Sequence, residues 1–404
     1  MLILFFITAL QAAPLGYQAL PQMLTINGEW RKSQSLLEAA QARRGSLKRS
    51  FLPTVMARAG RESFTLGPGP ARTQNYASLE ASVNLYNGGR DQYLDKAREA
   101  SWSAGSAMSD DVRRSVLART RDLWNAWRHH QEAVKILQDT LNENEQHFKA
   151  AEKRVRAGLA SEADTLEFKQ YTLELEQELA REQEEVHDHA RTLMAILGLS
   201  EMPSLPEVSD HEHDDTLLSE NFKADAHPRT RSVLADALAL AANSSRSRRW
   251  WTPRVDVYGA VTHYTDRQQF FDTSAQRDDL AVGAMLTVPL FDGGEAMRET
   301  RALELSRLGA ELHAAQLKRE LTAEHEKAIV HVRLTHSLLH KAAQSKELAE
   351  KYLKITLGEY QRGVKNSPDV REANQQLALA RLNEAQNRWD HETARANLMG
   401  LLGK

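Results

Sequence analysis

Four carboxylates stand out by type and spacing. Asp164 and Glu167, and again Asp369 and Glu372, lie three residues apart, which on a helix sets each pair on one face. One reading is local: DTLE from Asp164 and DVRE from Asp369 both match a capping box at a helix start. Ser367-Pro368 offers a neighbouring start, with serine as N-cap and proline at the first helical position. The other reading is electrostatic: acids repeated on one face supply fixed negative charge that favours cations wherever several copies line a passage. Histidine is the second chemical candidate. His187, His189, His211 and His213 have ligand-forming side chains, and the last two sit in the polar run HEHDD. Without a defined fourth ligand or any cysteine, the expectation is no metal site and no cofactor. There is no phosphate-cradling glycine loop, no GxSxG elbow and no HExxH, so the chain does not read as an enzyme.

Composition narrows the classes further. The chain has 404 residues, a formal net charge of −3 and 41% hydrophobic residues. A charge so near zero argues against a general nucleic-acid binder, whose footprint is a basic stripe. Zero cysteines exclude disulfides, thiolate metal sites and a lipid anchor on an N-terminal cysteine. Residues 1–13 begin with the apolar run MLILFFITAL and end in the small residues Ala12 and Ala13. That run is too short to span a bilayer, which needs about 20 apolar residues. It resembles a secretory signal peptide, although no Lys or Arg precedes it and Gln11 lies close to a cut after Ala13.

The acids must be positioned by something that occurs twice. Gly88 and Gly293 are 205 residues apart, as are Gly158 and Gly363, Leu193 and Leu398, and Gly198 and Gly403. Upstream, Pro53 and Pro253 are 200 apart, so the second copy holds five extra residues, assigned to the polar loop 265–278 against 64–73 in the first. The expected organisation is a first repeat over 14–199, an acidic linker over 200–222 and a second repeat over 223–404. Each repeat is read as a helix (30–50; 228–250), two strands (53–63 and 75–86; 253–264 and 279–290) and a long helical hairpin (90–198; 295–402).

The strands alternate. Ala77, Leu79, Ala81, Val83 and Leu85 form one face of the first copy, and Leu280, Val282, Ala284, Leu286, Val288 and Leu290 one face of the second. Val55, Ala57 and Ala59, and Val255, Val257 and Val261, mark the partner strands. After each Gly-Gly pair the period becomes seven: Trp127, Val134, Leu141, Phe148 and Val155, then Leu179, Val186 and Leu193. Gly89 to Gly158 is 69 residues, about 100 Å as helix. A soluble sheet with one face on a core shows the same alternation. Long paired helices with no other sheet-covering element favour a membrane instead, as do Phe51, Tyr86, Trp250, Trp251 and Phe291 near the strand ends. Four strands cannot close a barrel, and lipid tolerates no open edge, so strands must be pooled between chains: eight from two, twelve from three.

The junctions TVPLFDGGEA (Thr287–Ala296) and SVNLYNGGRD (Ser82–Asp91) end a strand and start a helix. Pro289 has no N–H for the ladder, and Gly88, Gly89, Gly293 and Gly294 permit the change of direction. With these junctions, and with the turnbacks RVRAGLASEADT (154–165) and EYQRGVKNSPDV (359–370), the chain resembles the TolC-type outer-membrane efflux proteins over about residues 25–404. The first junction departs from the pattern in having Asn84 where the second has Pro289. The resemblance implies a membrane α+β fold of two structural repeats, assembled as a homotrimer whose twelve-stranded β-barrel continues into a long α-helical barrel across the periplasm. It implies an outer-membrane location in contact with lipid, and docking to a periplasmic adaptor (membrane fusion) protein and, through it, an inner-membrane pump. Asp369 and Glu372 match the family's constricting acids and Asp164 a gate-locking one, with Glu167 beside it; Lys365 and Arg362 are the locking candidates. Gly158, Leu159, Gly363 and Val364 are the docking tips. The expected function is a passive exit duct of a tripartite efflux or type I secretion system. The competing reading is a non-channel coiled-coil scaffold or periplasmic structural protein.

Overall fold

A computed structural model describes residues 20, 24–65, 72–201, 215–264 and 278–403. In chain order these form α1 (Gly28–Ala42), α2 (Ser46–Ser50), β1 (Thr54–Phe64), β2 (Arg72–Tyr86), α3 (Arg90–Arg156) and α4 (Glu162–Leu197). They are followed by α5 (Pro228–Ser247), β3 (Arg254–Tyr264), β4 (Asp278–Thr287), α6 (Glu295–Gln361) and α7 (Ser367–Leu402). The protein is mostly helical with one small antiparallel sheet. The signal-like run 1–13, His211, His213 and most of both polar strand loops lie outside the described residues.

Several boundaries differ from expectation: β2 begins at Arg72 rather than 75, α5 ends at Ser247 rather than 250, and two further differences have a visible cause. The helix read over 30–50 is broken, because Gly45 takes a left-handed φ of 67° between α1 and α2. The strand read over 279–290 stops at Thr287, whose partner is Arg254. Pro253 and Pro289 flank that last pair, and neither has an N–H with which to extend the ladder.

Contacts gather into two units. The first comprises Gln34–Ser109 and Asp225–Lys318, the second the described parts of Met1–Ser33, Asp110–Ala224 and Arg319–Lys404. Each draws on both sequence halves, so 14–199 and 223–404 are not the bodies in which contacts concentrate. The reason is pairing between halves: β2 runs beside β3, and α4 packs on α7.

In the first unit the strands pair in the order β1-β2-β3-β4, all antiparallel. Register aligns the apolar positions across all four. Ala57 faces Leu79, Leu79 faces Val261 and Val261 faces Leu280; Val55 faces Ala81, and Val257 faces Val83 and Ala284. The result is a continuous apolar face, and it is bare: Val55, Leu79, Leu280, Val282 and Leu286 are all exposed. The opposite face is mixed, with Met56 and Met285 beside the sheet's polar pairs. Arg58 pairs with Glu80 at 3.1 Å, and Asn84 Nδ2 donates to Asp256 at 2.8 Å. Tyr76 lies over Gly60 and Tyr258 over Gly283; a Cβ on either glycine would come within 2.9 Å of the ring. Each tyrosine thus covers the backbone its cross-strand glycine leaves open. Among the described residues β1 pairs only with β2 and β4 only with β3, so both sheet edges are unpaired.

The second unit is helical and its seam corrects the sequence reading in phase over part of α3. The period of seven holds on α3, and the expected seam is buried at Trp127 and, on α4, at Leu193. Further along α3 the buried line is Leu137, Asn144 and Ala151 with Ala133 and Thr140, while Val134, Leu141, Phe148 and Val155 are half-buried beside it. Polar residues at the centre hide that line from an apolar count. Thr140 Oγ1 donates to Ile136 O at 2.8 Å, and Asn144 Nδ2 donates across to Phe168 O and Thr172 Oγ1, both at 2.9 Å, while Asn144 Oδ1 is buried without a partner among the described residues. On α4 the complementary line is Phe168, Tyr171 and Leu175, which packs on Leu137.

Candidate functional site

The two turnbacks are built alike. Helix α3 ends in a Schellman motif: Leu159 N donates to Arg154 O and Gly158 N to Val155 O, both at 2.9 Å. At the end of α6, Val364 N donates to Glu359 O at 2.9 Å and Gly363 N to Tyr360 O at 3.0 Å. The motif needs a left-handed residue, and Gly158 and Gly363 have φ of 73° and 79°. Its usual apolar contact is missing here, since Leu159 and Val364 are 71% and 70% exposed. Behind the tips, Ala151, Phe168, Tyr360 and Val370 form a buried cluster. Arg154 binds the two hairpins together, lying 4.3 Å over the Tyr360 ring and donating to its carbonyl.

Both return helices begin with a capping box, one turn earlier than DTLE and DVRE suggested. The N-caps are Ser161 and Asn366, with Asp164 and Asp369 at the third helical position. Ser367 and Pro368 are therefore the first and second residues of α7, not its N-cap and first residue. The acids reach back for backbone N–H groups: Asp164 Oδ2 accepts from Ser161 N and Asp369 Oδ2 from Asn366 N, each at 2.9 Å.

The four acids consequently have unequal freedom. Glu167 is paired with Arg371 at 2.8 Å, and the same guanidinium reaches Glu174 at 3.7 Å. Asp369 also accepts from Lys365 Nζ at 3.3 Å. The Asn366 N–H first, then Lys365, holds the Asp369 carboxyl below its ordinary range, and the bond to Asp369 raises the Lys365 ammonium. Among the described residues Glu372 accepts only from Gln376, at 3.2 Å, and it faces solvent. Arg362 donates to its own helix at Gly358 O, 3.2 Å away. The structure thus joins Lys365 to Asp369 and Arg371 to Glu167. It brings neither Lys365 nor Arg362 to Asp164. Arg371, the acid partner actually present, carried no sequence signal beyond its charge.

At the strand–helix junctions all four glycines have positive φ, from 61° to 76°. Asp292 caps the second, its carboxylate accepting from Gly294 N at 2.9 Å and Ala296 N at 2.8 Å. Pro289 lies two residues past the end of β4. At the first junction Arg249 donates to Gly88 O at 3.1 Å and Arg90 to Thr252 O at 3.3 Å.

One group escaped the sequence reading. His130 on α3 meets Glu182, Glu185 and His189 on α4: His130 Nδ1 lies 2.7 Å from Glu182 Oε2, and His189 Nε2 lies 3.7 Å from Glu185 Oε2. Of the histidines singled out by sequence, only His189 belongs to it; His187 is exposed on α4. The available signal was Glu182 and His189 standing seven and fourteen residues after Leu175, on the seam.

A bare apolar sheet carried on long antiparallel helix pairs defines a class: subunits of membrane ducts. No helix among the described residues is long and apolar enough to cross a membrane. The profile of the outer membrane efflux protein family matches residues 20–199 and 227–404, and the chain belongs to that family. No curated protein matches the sequence. Among solved structures the chain shares its fold with CusC, at 14% identity and a TM-score of 0.81, covering 97% of this chain and 93% of that one. VceC from Vibrio cholerae is similar at 16% identity, TM-score 0.79 and 96% coverage of both chains. The open state of MtrE from Neisseria gonorrhoeae is similar at 16% identity and TM-score 0.79, covering 96% of this chain and 88% of that one. The protein is an outer-membrane efflux duct of the TolC type, in a family whose members are channels rather than enzymes, and the coiled-coil scaffold reading loses its ground.

Proposed function

We propose that three copies of this chain close a twelve-stranded barrel in the outer membrane and continue it, through their paired helices, as a tunnel into the periplasm. The carrying observation is the sheet, with one continuous apolar face and two unpaired edges. In lipid each unmet N–H and C=O costs several kcal/mol. Edge β4 of one copy is satisfied by edge β1 of the next, and the apolar face turns to lipid. The two halves, matching at an offset of 205, then supply six quasi-equivalent strand pairs and hairpins around the axis. The duct is passive; energy comes from an inner-membrane pump joined through a periplasmic adaptor, in a tripartite efflux or type I secretion system. Extraction of the full-length protein is expected to require detergent, to yield particles of three chains, and to give pores in planar bilayers. A water-soluble monomer without pore activity would overturn the reading.

Support for the docking role comes from the tips. Leu159 and Val364 leave their own motifs and stand in solvent, where an apolar partner surface can cover them. Leu159→Glu with Val364→Glu is expected to lower adaptor co-purification at least tenfold and abolish export in cells, leaving single-pore conductance in bilayers as in the parent. Full adaptor binding in the double variant would remove these residues from the interface. Asp164, Glu167, Asp369 and Glu372 form the acidic mouth in this proposal, with Lys365 and Arg362 as locking groups. Gly88, Gly89, Pro289, Gly293 and Gly294 form the hinge between barrel and tunnel.

A further inference from the structure

The helical seam of the first hairpin is interrupted by ionisable residues, and they converge. On α3 His130 stands seven residues before buried Leu137, in the line that continues through Asn144 and Ala151. On α4 Glu182 and His189 continue the line of Phe168 and Leu175 at the same interval. Coiled-coil seams take apolar residues, and charge there lowers helix-pair stability unless it is paired or ligated. His130 and Glu182 each keep only 20% of their side-chain exposure and His189 23%. The His130 and His189 rings stack at 5.1 Å and 17°.

We infer that His130, His189 and Glu185 bind a divalent cation of the zinc class, with Glu182 orienting His130. Ligand atoms of the first three all lie within 4.8 Å of one another. Closing them around an ion with bonds of about 2.0–2.2 Å needs side-chain movements of roughly 1 Å. An ionised carboxylate can only accept, so Glu182 fixes the proton on His130 Nδ1 and leaves the Nε2 lone pair for the metal. Two imidazoles and one carboxylate from two helices give three protein ligands, and water fills the fourth position. The ion clips α3 to α4 at this ionisable layer of their seam. At the offset of 205 the second half has Thr335, Asn387, Asp390 and Ala394, so only the first hairpin carries the donor set. The site does not depend on the duct reading or on the cargo.

The test uses full-length, tag-free protein in detergent, in a His340→Ala background that removes the exposed His336–His340 pair. Titration with zinc by calorimetry, and with cobalt by visible absorption, is expected to show one ion per chain and a raised unfolding temperature. His189→Ala and Glu185→Gln are each expected to weaken binding at least tenfold, Glu182→Gln about tenfold, and His187→Ala not at all. Glu185 is exposed, so its variant leaves folding intact, and helix content by circular dichroism verifies this for His189→Ala. Absence of saturable binding in the parent, or equal affinity in the His189 and Glu185 variants, would show a purely polar layer and overturn the site.

Discussion

Replacing Gly88 by alanine is expected to destabilise the protein by about 2–5 kcal/mol, whereas the same change at Gly293 should cost about 1–2 kcal/mol. Both glycines are left-handed, with φ of 61° and 69°, so both variants carry the strain of a Cβ in that region. Only Gly88 is also crowded. Its added Cβ would fall 1.8 Å from Thr252 Oγ1 and 2.3 Å from Thr252 Cβ, while at Gly293 nothing lies within 4 Å. Thr252 cannot withdraw: it is 8% exposed, its hydroxyl donates to Arg249 O at 2.7 Å and its carbonyl accepts from Arg90. Thr252→Ala keeps the offending Cβ and should not rescue the variant; Thr252→Gly should relieve the clash and leave only the strain. Denaturant unfolding of the detergent-extracted protein followed by circular dichroism measures all four. Equal losses at Gly88 and Gly293 would show that Thr252 gives way and that backbone strain is the whole effect.

That contrast shows where the sequence is informative and where it stops. Gly-Gly at two positions in one register told of a sharp strand-to-helix turn, because few residues other than glycine adopt such angles. It could not tell that one copy is packed against Thr252 and the other open, since the neighbour lies 164 residues away. Strand faces were legible because a period of two leaves no other way to segregate Val55, Leu79, Val261 and Leu280. The seam was legible in period, and in phase at Trp127 and Leu193 but not from Val134 to Val155. Asn144 and Thr140 are buried by virtue of hydrogen bonds that a hydrophobicity count does not see. The caps were misplaced by one turn for a related reason: Asp at an N-cap and Asp at the third helical position both make a helix start, and DTLE and DVRE fit either. Ion pairing was least legible. Glu167 and Arg371 are 204 residues apart, and nothing in either local pattern announces the other.

The unequal partners of the acids separate a selective ring from a structural cap. Glu372→Gln removes a charge that no cap uses, since among the described residues Glu372 accepts only from Gln376. Asp369→Asn removes a charge that also holds the Asn366 N–H and Lys365. If the acids line the mouth of a trimeric duct, both substitutions act on permeation, each deleting three charges per pore. The double variant is then expected to shift reversal potentials in a salt gradient towards non-selectivity and to raise or lower conductance by a factor of two or more. Glu372→Gln alone should move the reversal potential with no change in unfolding, whereas Asp369→Asn should do both. The acid dependence follows from the sign of the shift. The Asp369 carboxyl is held below its ordinary range, so the stability it lends is complete above about pH 4 and is lost as pH falls through the lowered value. Lys365 is raised, so its contribution is complete below about pH 10 and is lost as pH rises through the raised value. Between pH 5 and pH 9 both stay charged, and the selectivity carried by Asp369 should be flat across that window in bilayer recordings. Reversal potentials unmoved by either substitution would leave the carboxylates as helix caps, with selectivity, if any, arising elsewhere along the tunnel.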